Sequence, residues 1–129
     1  MLKKLKQKFG APKVDKSIVW KEANQELVDL IRGGKADEAL EAGQKLVDFV
    51  DRKFSKDAPE KATTYNNVGM ALMMHGDFPL AEECFREALA MRIRLFGEEH
   101  REVAVVYMNM SQLYKVRAQQ ILALFHEKT

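Results

Sequence analysis

The sequence has a single cysteine and no long uncharged apolar run. Cys84 has no second cysteine to pair with, and its apolar surroundings suit either a reducing compartment or simply a small buried residue, the reading we favour. No stretch approaches the roughly 18 uncharged apolar residues of a membrane-spanning helix. Residues 1–9 are rich in lysine but lack the apolar run of roughly 7–15 residues that a secretory signal needs. We therefore expect a cytoplasmic protein.

Recognisable catalytic and metal-binding motifs are also missing. The three histidines, His75, His100 and His126, do not form a pair at one-turn helical spacing, which a helical metal site would use. Neither Cys84 nor any serine lies in a nucleophile motif. The sequence predicts no cofactor, no metal and no enzymatic activity.

Positive charge is in excess only in the first 16 residues. Six lysines against Asp15 give this segment a net charge of +5, so the rest carries −3 within a total of +2. Such a body lacks the broad basic surface that binding to nucleic-acid phosphates needs, and we expect no nucleic-acid partner. We interpret residues 1–16 as a basic arm, either disordered or a short amphipathic helix bearing Leu2, Leu5 and Phe9; membrane-surface binding is the less favoured role.

What the sequence does contain is a repeat of 42 residues. Residues 59–68 and 101–110 match at this offset, including the pair Tyr65 and Tyr107, which we expect in corresponding environments. The pair Gly34 and Gly76 extends the same period upstream. An ordinary helical bundle with chance similarities is the alternative.

Apolar residues spaced by three and four predict helices over 17–32, 36–54, 59–75, 78–96 and 100–127. Gly76 is suited to end a helix, Asp77 to cap the next one, and Pro79 to lie in its first turn. The sequence therefore predicts an all-α fold of antiparallel helix pairs over residues 17–129, with about two and a half repeats. No turn residue stands at Ala118, so the last helix is expected to run on.

The second repeat resembles the tetratricopeptide consensus at the following residues: Tyr65, Val68, Gly69, Leu72, Gly76, Ala81, Phe85 and Ala88. The longer period, the pair Asn66-Asn67 and the run 88–100 resemble more narrowly the kinesin-light-chain type of this repeat. The first repeat departs from the pattern, with Ala23 in place of the aromatic residue, so its register is open to a slip of one. The resemblance implies a module that binds a protein or peptide along the concave side of the stack.

The groove positions come from this resemblance alone. It implies contacts from the first, second and third repeats at Asn24, Thr63, Asn66, Met70, Met73, Met74, Met108, Gln112 and Lys115. Asn66 is interpreted as an amide for gripping an extended peptide backbone, against the alternative of a solvated surface residue. The methionines are an adaptable apolar set, although methionine at helical spacing is more often part of a core.

A second hypothesis is self-assembly through the last helix. Apolar side chains spread around it at Ile121, Leu122, Leu124 and Phe125. Burial of each such side chain contributes about 1.5–3 kcal/mol, so a second copy of the chain is a plausible cover and a homodimer a plausible state.

Overall fold

The structure is a computed structural model that describes residues 15–126. These residues form five helices joined by short turns, with no strand among them: α1 (Lys16–Arg32), α2 (Ala36–Lys53), α3 (Pro59–His75), α4 (Phe78–Phe96) and α5 (Arg101–His126). The all-α prediction is confirmed, and the helix ends lie within one residue of those predicted. The basic arm, apart from Asp15 and Lys16, lies outside the described residues.

The helix ends follow from local chemistry. The Asp15 carboxylate accepts a hydrogen bond from the Ser17 amide at 2.9 Å and so caps α1. Gly76 ends α3 in the left-handed conformation at φ 94°, which a residue with a side chain rarely adopts. The Glu102 amide N–H, at the start of α5, has no acceptor within the helix. It donates instead to the ring nitrogen Nδ1 of His100 at 3.0 Å.

The helices lie in two layers. Helix α3 contacts both α1 and α5, which places the first helices of successive repeats side by side. Helices α2 and α4 occupy the other layer, and these two described helices do not contact each other. The core between the layers is built around Leu27, Leu46, Phe85, Val106 and Leu113.

Two contacts explain why successive helices pack closely. Phe85 of α4 lies directly over Gly69 of α3, where an added Cβ would come within 2.6 Å of the ring. Arg92 of α4 is buried and donates to the backbone oxygen of Glu102 at 2.8 Å and to the Thr63 hydroxyl at 3.3 Å. Arg92 thereby links α3, α4 and α5.

The last helix continues through Ala118 as predicted. Its buried residues are Val103, Val106, Met110 and Leu113, and every described residue from Arg117 onward is exposed. None of the five described helices has the combination of length and apolar character needed to cross a bilayer.

Candidate interaction surfaces

Pairs of asparagines join the first helices of neighbouring repeats. Asn67 donates to Asn24 at 2.8 Å, and Asn109 donates to Asn66 at 2.9 Å. Both pairs span 43 positions, one more than the repeat period, so a single contact recurs at both junctions. The first repeat therefore keeps the 42-residue register, and the slip that Ala23 had left open does not occur.

This arrangement corrects the expectation for Asn66. Its side chain is only 5% exposed, and its amide oxygen already accepts from Asn109. At this low exposure the amide has little surface left to contact a peptide, and its oxygen already joins two helices. The structure therefore assigns Asn66 to the α3–α5 junction.

The other predicted groove residues differ in accessibility. Asn24 is half-buried and accepts from Asn67, and Thr63 is half-buried and accepts from Arg92. Met70 and Met73 are partly buried against the core. The remaining members are exposed: Met74 on α3, and Met108, Gln112 and Lys115 on α5.

Exposed apolar side chains concentrate on α5. Within residues 15–126, twelve large hydrophobic side chains are exposed, and eight of them belong to this helix. The four residues predicted for a dimer contact, Ile121, Leu122, Leu124 and Phe125, are all exposed. A continuous row of exposed residues alternates spacings of three and four; we call it the terminal face: Ala104, Tyr107, Ser111, Tyr114, Ala118, Ile121 and Phe125.

The equivalent row on α3 is covered. The positions 42 residues earlier carry Ala62, Tyr65, Gly69 and Leu72, of which three are buried and Tyr65 is half-buried. Tyr65 also donates to the Asp51 carboxylate at 3.0 Å, whereas Tyr107 is 54% exposed. The expectation that the two tyrosines have corresponding environments is therefore wrong. Helix α4 packs on the α3 row through Phe85. Its contact with the terminal face is a hydrogen bond that the Tyr114 hydroxyl donates to the Glu82 carboxylate at 2.9 Å.

Met108 of α5 is also exposed where its equivalent on α3 is covered. It is the repeat equivalent of Asn66, yet it is 70% exposed where Asn66 is covered by α5. In a longer stack, the first helix of the next repeat would cover this side of α5. No described helix covers it here. Together these residues form the side of the described stack on which α5 has no neighbouring first helix.

A sequence model of the tetratricopeptide repeat matches residues 28–94 and 60–127, which together span most of the chain. This chain belongs to the tetratricopeptide-repeat family. The fold is similar to the crystal structure of BtubC (BKLC) from P. vanneervenii, with a TM-score of 0.75 and 27% identity over 84% of this chain and 42% of that one. The chain thus spans less than half the length of that protein. No curated protein matches the sequence significantly.

Tetratricopeptide repeats generally mediate interactions between proteins, typically without catalysis. Sequence reasoning identified the apolar end of α5 but missed Tyr107, Ser111 and Tyr114 as part of the same surface. The signal was present, since these residues continue the spacing of three and four toward Ile121. The asparagine pairs were also detectable, because Asn24 and Asn66 are 42 positions apart, as are Asn67 and Asn109.

Proposed function

We propose that this chain is a protein-interaction module that associates with a second copy of itself along the terminal face of α5. The observation that carries this proposal is the exposure of the terminal face where the matching row of α3 is covered by α4. Repeat stacks normally end on a polar outer surface, which keeps the end from associating. On α5, the last helix described, the outer row carries Tyr107, Tyr114, Ile121 and Phe125 instead, and the Tyr114 hydroxyl also donates to Glu82.

The spacing of the terminal face favours another helix as its cover. Alternate steps of three and four residues place one narrow row along a helix, as in the seam of a coiled coil. The row continues from Ala104 to Phe125, and Leu122 and Leu124 flank its last turn. A second copy supplies an identical row, so that both are covered in one symmetric contact.

Light scattering over a range of concentrations tests this proposal. The full chain should change from monomer to dimer as its concentration rises. The paired substitutions Tyr107→Lys and Ile121→Lys should keep it monomeric, because they place charges within the contact.

The matched control adds the same charges to another side of α5. Gln112→Lys with Gln119→Lys alters exposed polar residues outside the terminal face and should leave the dimer intact. A full chain that stays monomeric at millimolar concentration contradicts the proposal, as does equal weakening by both pairs.

A second candidate function is peptide binding along the α3–α5 side of the stack. Met70 and Met73 are partly accessible, Met74 is exposed, and Val105 and Gln112 of the neighbouring helix are exposed beside the junction. Methionine side chains adapt to varied apolar ligands, so this row suits a short apolar peptide.

Selection of peptides from a random library against the full chain tests this second candidate. Met70→Glu with Met74→Glu should abolish capture of the selected peptides, whereas Tyr107→Lys should leave it unchanged. Retention of the peptides by the glutamate variant contradicts a binding site on α3.

We further propose a non-catalytic role in the cytoplasm, with no nucleic-acid partner. The single half-buried cysteine suits a reducing compartment. The net charge of −3 after residue 16 disfavours contact with phosphates.

A further inference from the structure

The opposite end of the stack also has an open surface. A groove of about 470 Å³ runs between α1 and α2. Its apolar base includes Val19, Ala23, Leu46 and Phe49.

The α1 side of this groove is the position at which a preceding second helix would pack. In the next repeat, α2 contacts α3 at three places: Asp51 meets Lys61 and Tyr65, and Gly43 lies against Val68. The α1 equivalents of these three α3 residues, 42 positions earlier, are Val19, Ala23 and Glu26, and all three line the groove.

The rim of the groove is acidic. Glu26 and Glu38 line it, and Glu22 lies one turn before Glu26 on α1. All three carboxylates are exposed, and none of them forms an ion pair with another residue of the described part of the chain. Glu41 also lines the groove but is paired with Lys45 at 3.5 Å. An occupant of this groove should therefore combine an apolar face with positive charge.

The chain contains a segment with both properties immediately before α1. Leu2, Leu5 and Phe9 have the spacings of three and four that Gly43, Leu46 and Val50 have on the buried side of α2. Four lysines lie among them at positions 3, 4, 6 and 8. Residues 10–15, which include Gly10 and Pro12, leave enough chain for a reversal, since residues 54–58 suffice between α2 and α3.

We propose that residues 2–9 dock across α1 as a helix, in the position that α2 takes on α3. Leu2, Leu5 and Phe9 then cover the base of the groove, and the neighbouring lysines face its acidic rim. The proposal is independent of the self-association proposed for α5, which concerns the other end.

Cysteine cross-linking in the full chain tests the docking directly. With Cys84→Ser as background, Leu2→Cys is paired with Glu26→Cys, because this pair corresponds to the observed contact between Gly43 and Val68. Under mild oxidation at low protein concentration, the intramolecular disulfide should form at least about tenfold faster than in the control pair, because docking raises the local concentration of the two thiols.

The control pair is Leu2→Cys with Lys21→Cys. Lys21 is exposed, nearer in sequence to residue 2, and on the opposite side of α1 from Glu26. A freely moving arm would therefore favour the control. Equal rates for the two pairs overturn the proposal, and so does a cross-link that forms only between two molecules.

Two further substitutions distinguish docking through apolar contacts from charge attraction between the lysines and the acidic rim. Leu5→Gln should remove most of the rate advantage, because it removes a contact with the base of the groove. Gln7→Ala, on the other side of the same segment, should preserve the advantage. Loss of the advantage in both variants, or in neither, contradicts the proposed orientation.

Discussion

Gly69 and Ser111 occupy the same position of successive repeats, but only Gly69 has a helix packed on it. Because the Phe85 ring would lie 2.6 Å from an added Cβ, Gly69→Ala should lower the free energy of unfolding by about 1–3 kcal/mol. Ser111→Ala, on the exposed terminal face, should change it by less than about 0.5 kcal/mol under monomeric conditions. Chemical denaturation of both variants measures the difference, and equal effects would contradict the assigned packing.

The pair of Asn66 and Asn109 should contribute more to stability than the pair of Asn24 and Asn67. Asn109→Ala removes the donor to the Asn66 oxygen and leaves that buried group without its partner, which should cost about 1–3 kcal/mol of stability. Asn67→Ala should cost less, because Asn24 is only half-buried and water can replace the lost donor. The same denaturation experiment ranks the two variants, and the reverse order would contradict the assigned burial of the two asparagine pairs.

Cys84 should be a slow nucleophile. Burial, followed by the nearby Glu83, Glu87 and Asp77, raises its thiol pKa from 9.0 to about 11. At pH 8 alkylation of the folded protein should be roughly 10–100 times slower than after denaturation, because fewer thiolates are present. The rate should keep rising with pH up to about 11. A plateau near pH 9 would show that the thiol is not shifted.

The burial of single side chains could not be predicted from the repeat. The 42-residue period identifies Asn66 and Met108 as equivalent, but it does not say which of them another helix covers. Coverage depends on the neighbours of each helix in space, and the equivalent positions of α3 and α5 have different neighbours. Asn66, which the resemblance implied as a ligand contact, is instead part of a helix junction.

At the scale of the helices, the sequence was more informative. Gly76, Asp77 and Pro79 each act within a few residues of their own position, so the end of α3 and the start of α4 could be predicted from local chemistry. The continuation of α5 through Ala118 followed from the lack of any turn residue. The side of α5 that would remain open was not a local property and required the packed structure.

The exposed end of α5 should be needed for association and not for the stability of the monomer. Residues 119–126 have no buried side chain, so they should contribute little to a monomer. Deleting residues 119–129 should lower the unfolding free energy by less than about 1 kcal/mol at dilute concentration, yet abolish the dimer. Thermal unfolding and light scattering measure the two effects. A large loss of stability in the dilute monomer would mean that these residues pack on the body.

At the scale of the molecule, residues 15–126 form a short stack of helix pairs whose two ends differ in chemistry. The α1 end has an acidic groove, and the α5 end has the apolar terminal face. The asparagine pairs join the first helices of successive repeats, and Arg92 joins α4 to α3 and α5, so the body should unfold cooperatively. We propose that both ends are sites of helix association, the first within the chain and the second between copies.

Amide hydrogen exchange along α5, followed as a function of protein concentration, tests the central claim most directly. Pairing along the terminal face should give residues 118–126 strong protection at high concentration, approaching that of residues 103–113. The protection should disappear on dilution and in the Tyr107→Lys, Ile121→Lys variant. The contrary result is rapid exchange of residues 118–126 at every concentration while residues 103–113 stay protected. It would contradict the proposal that the terminal face is an interface.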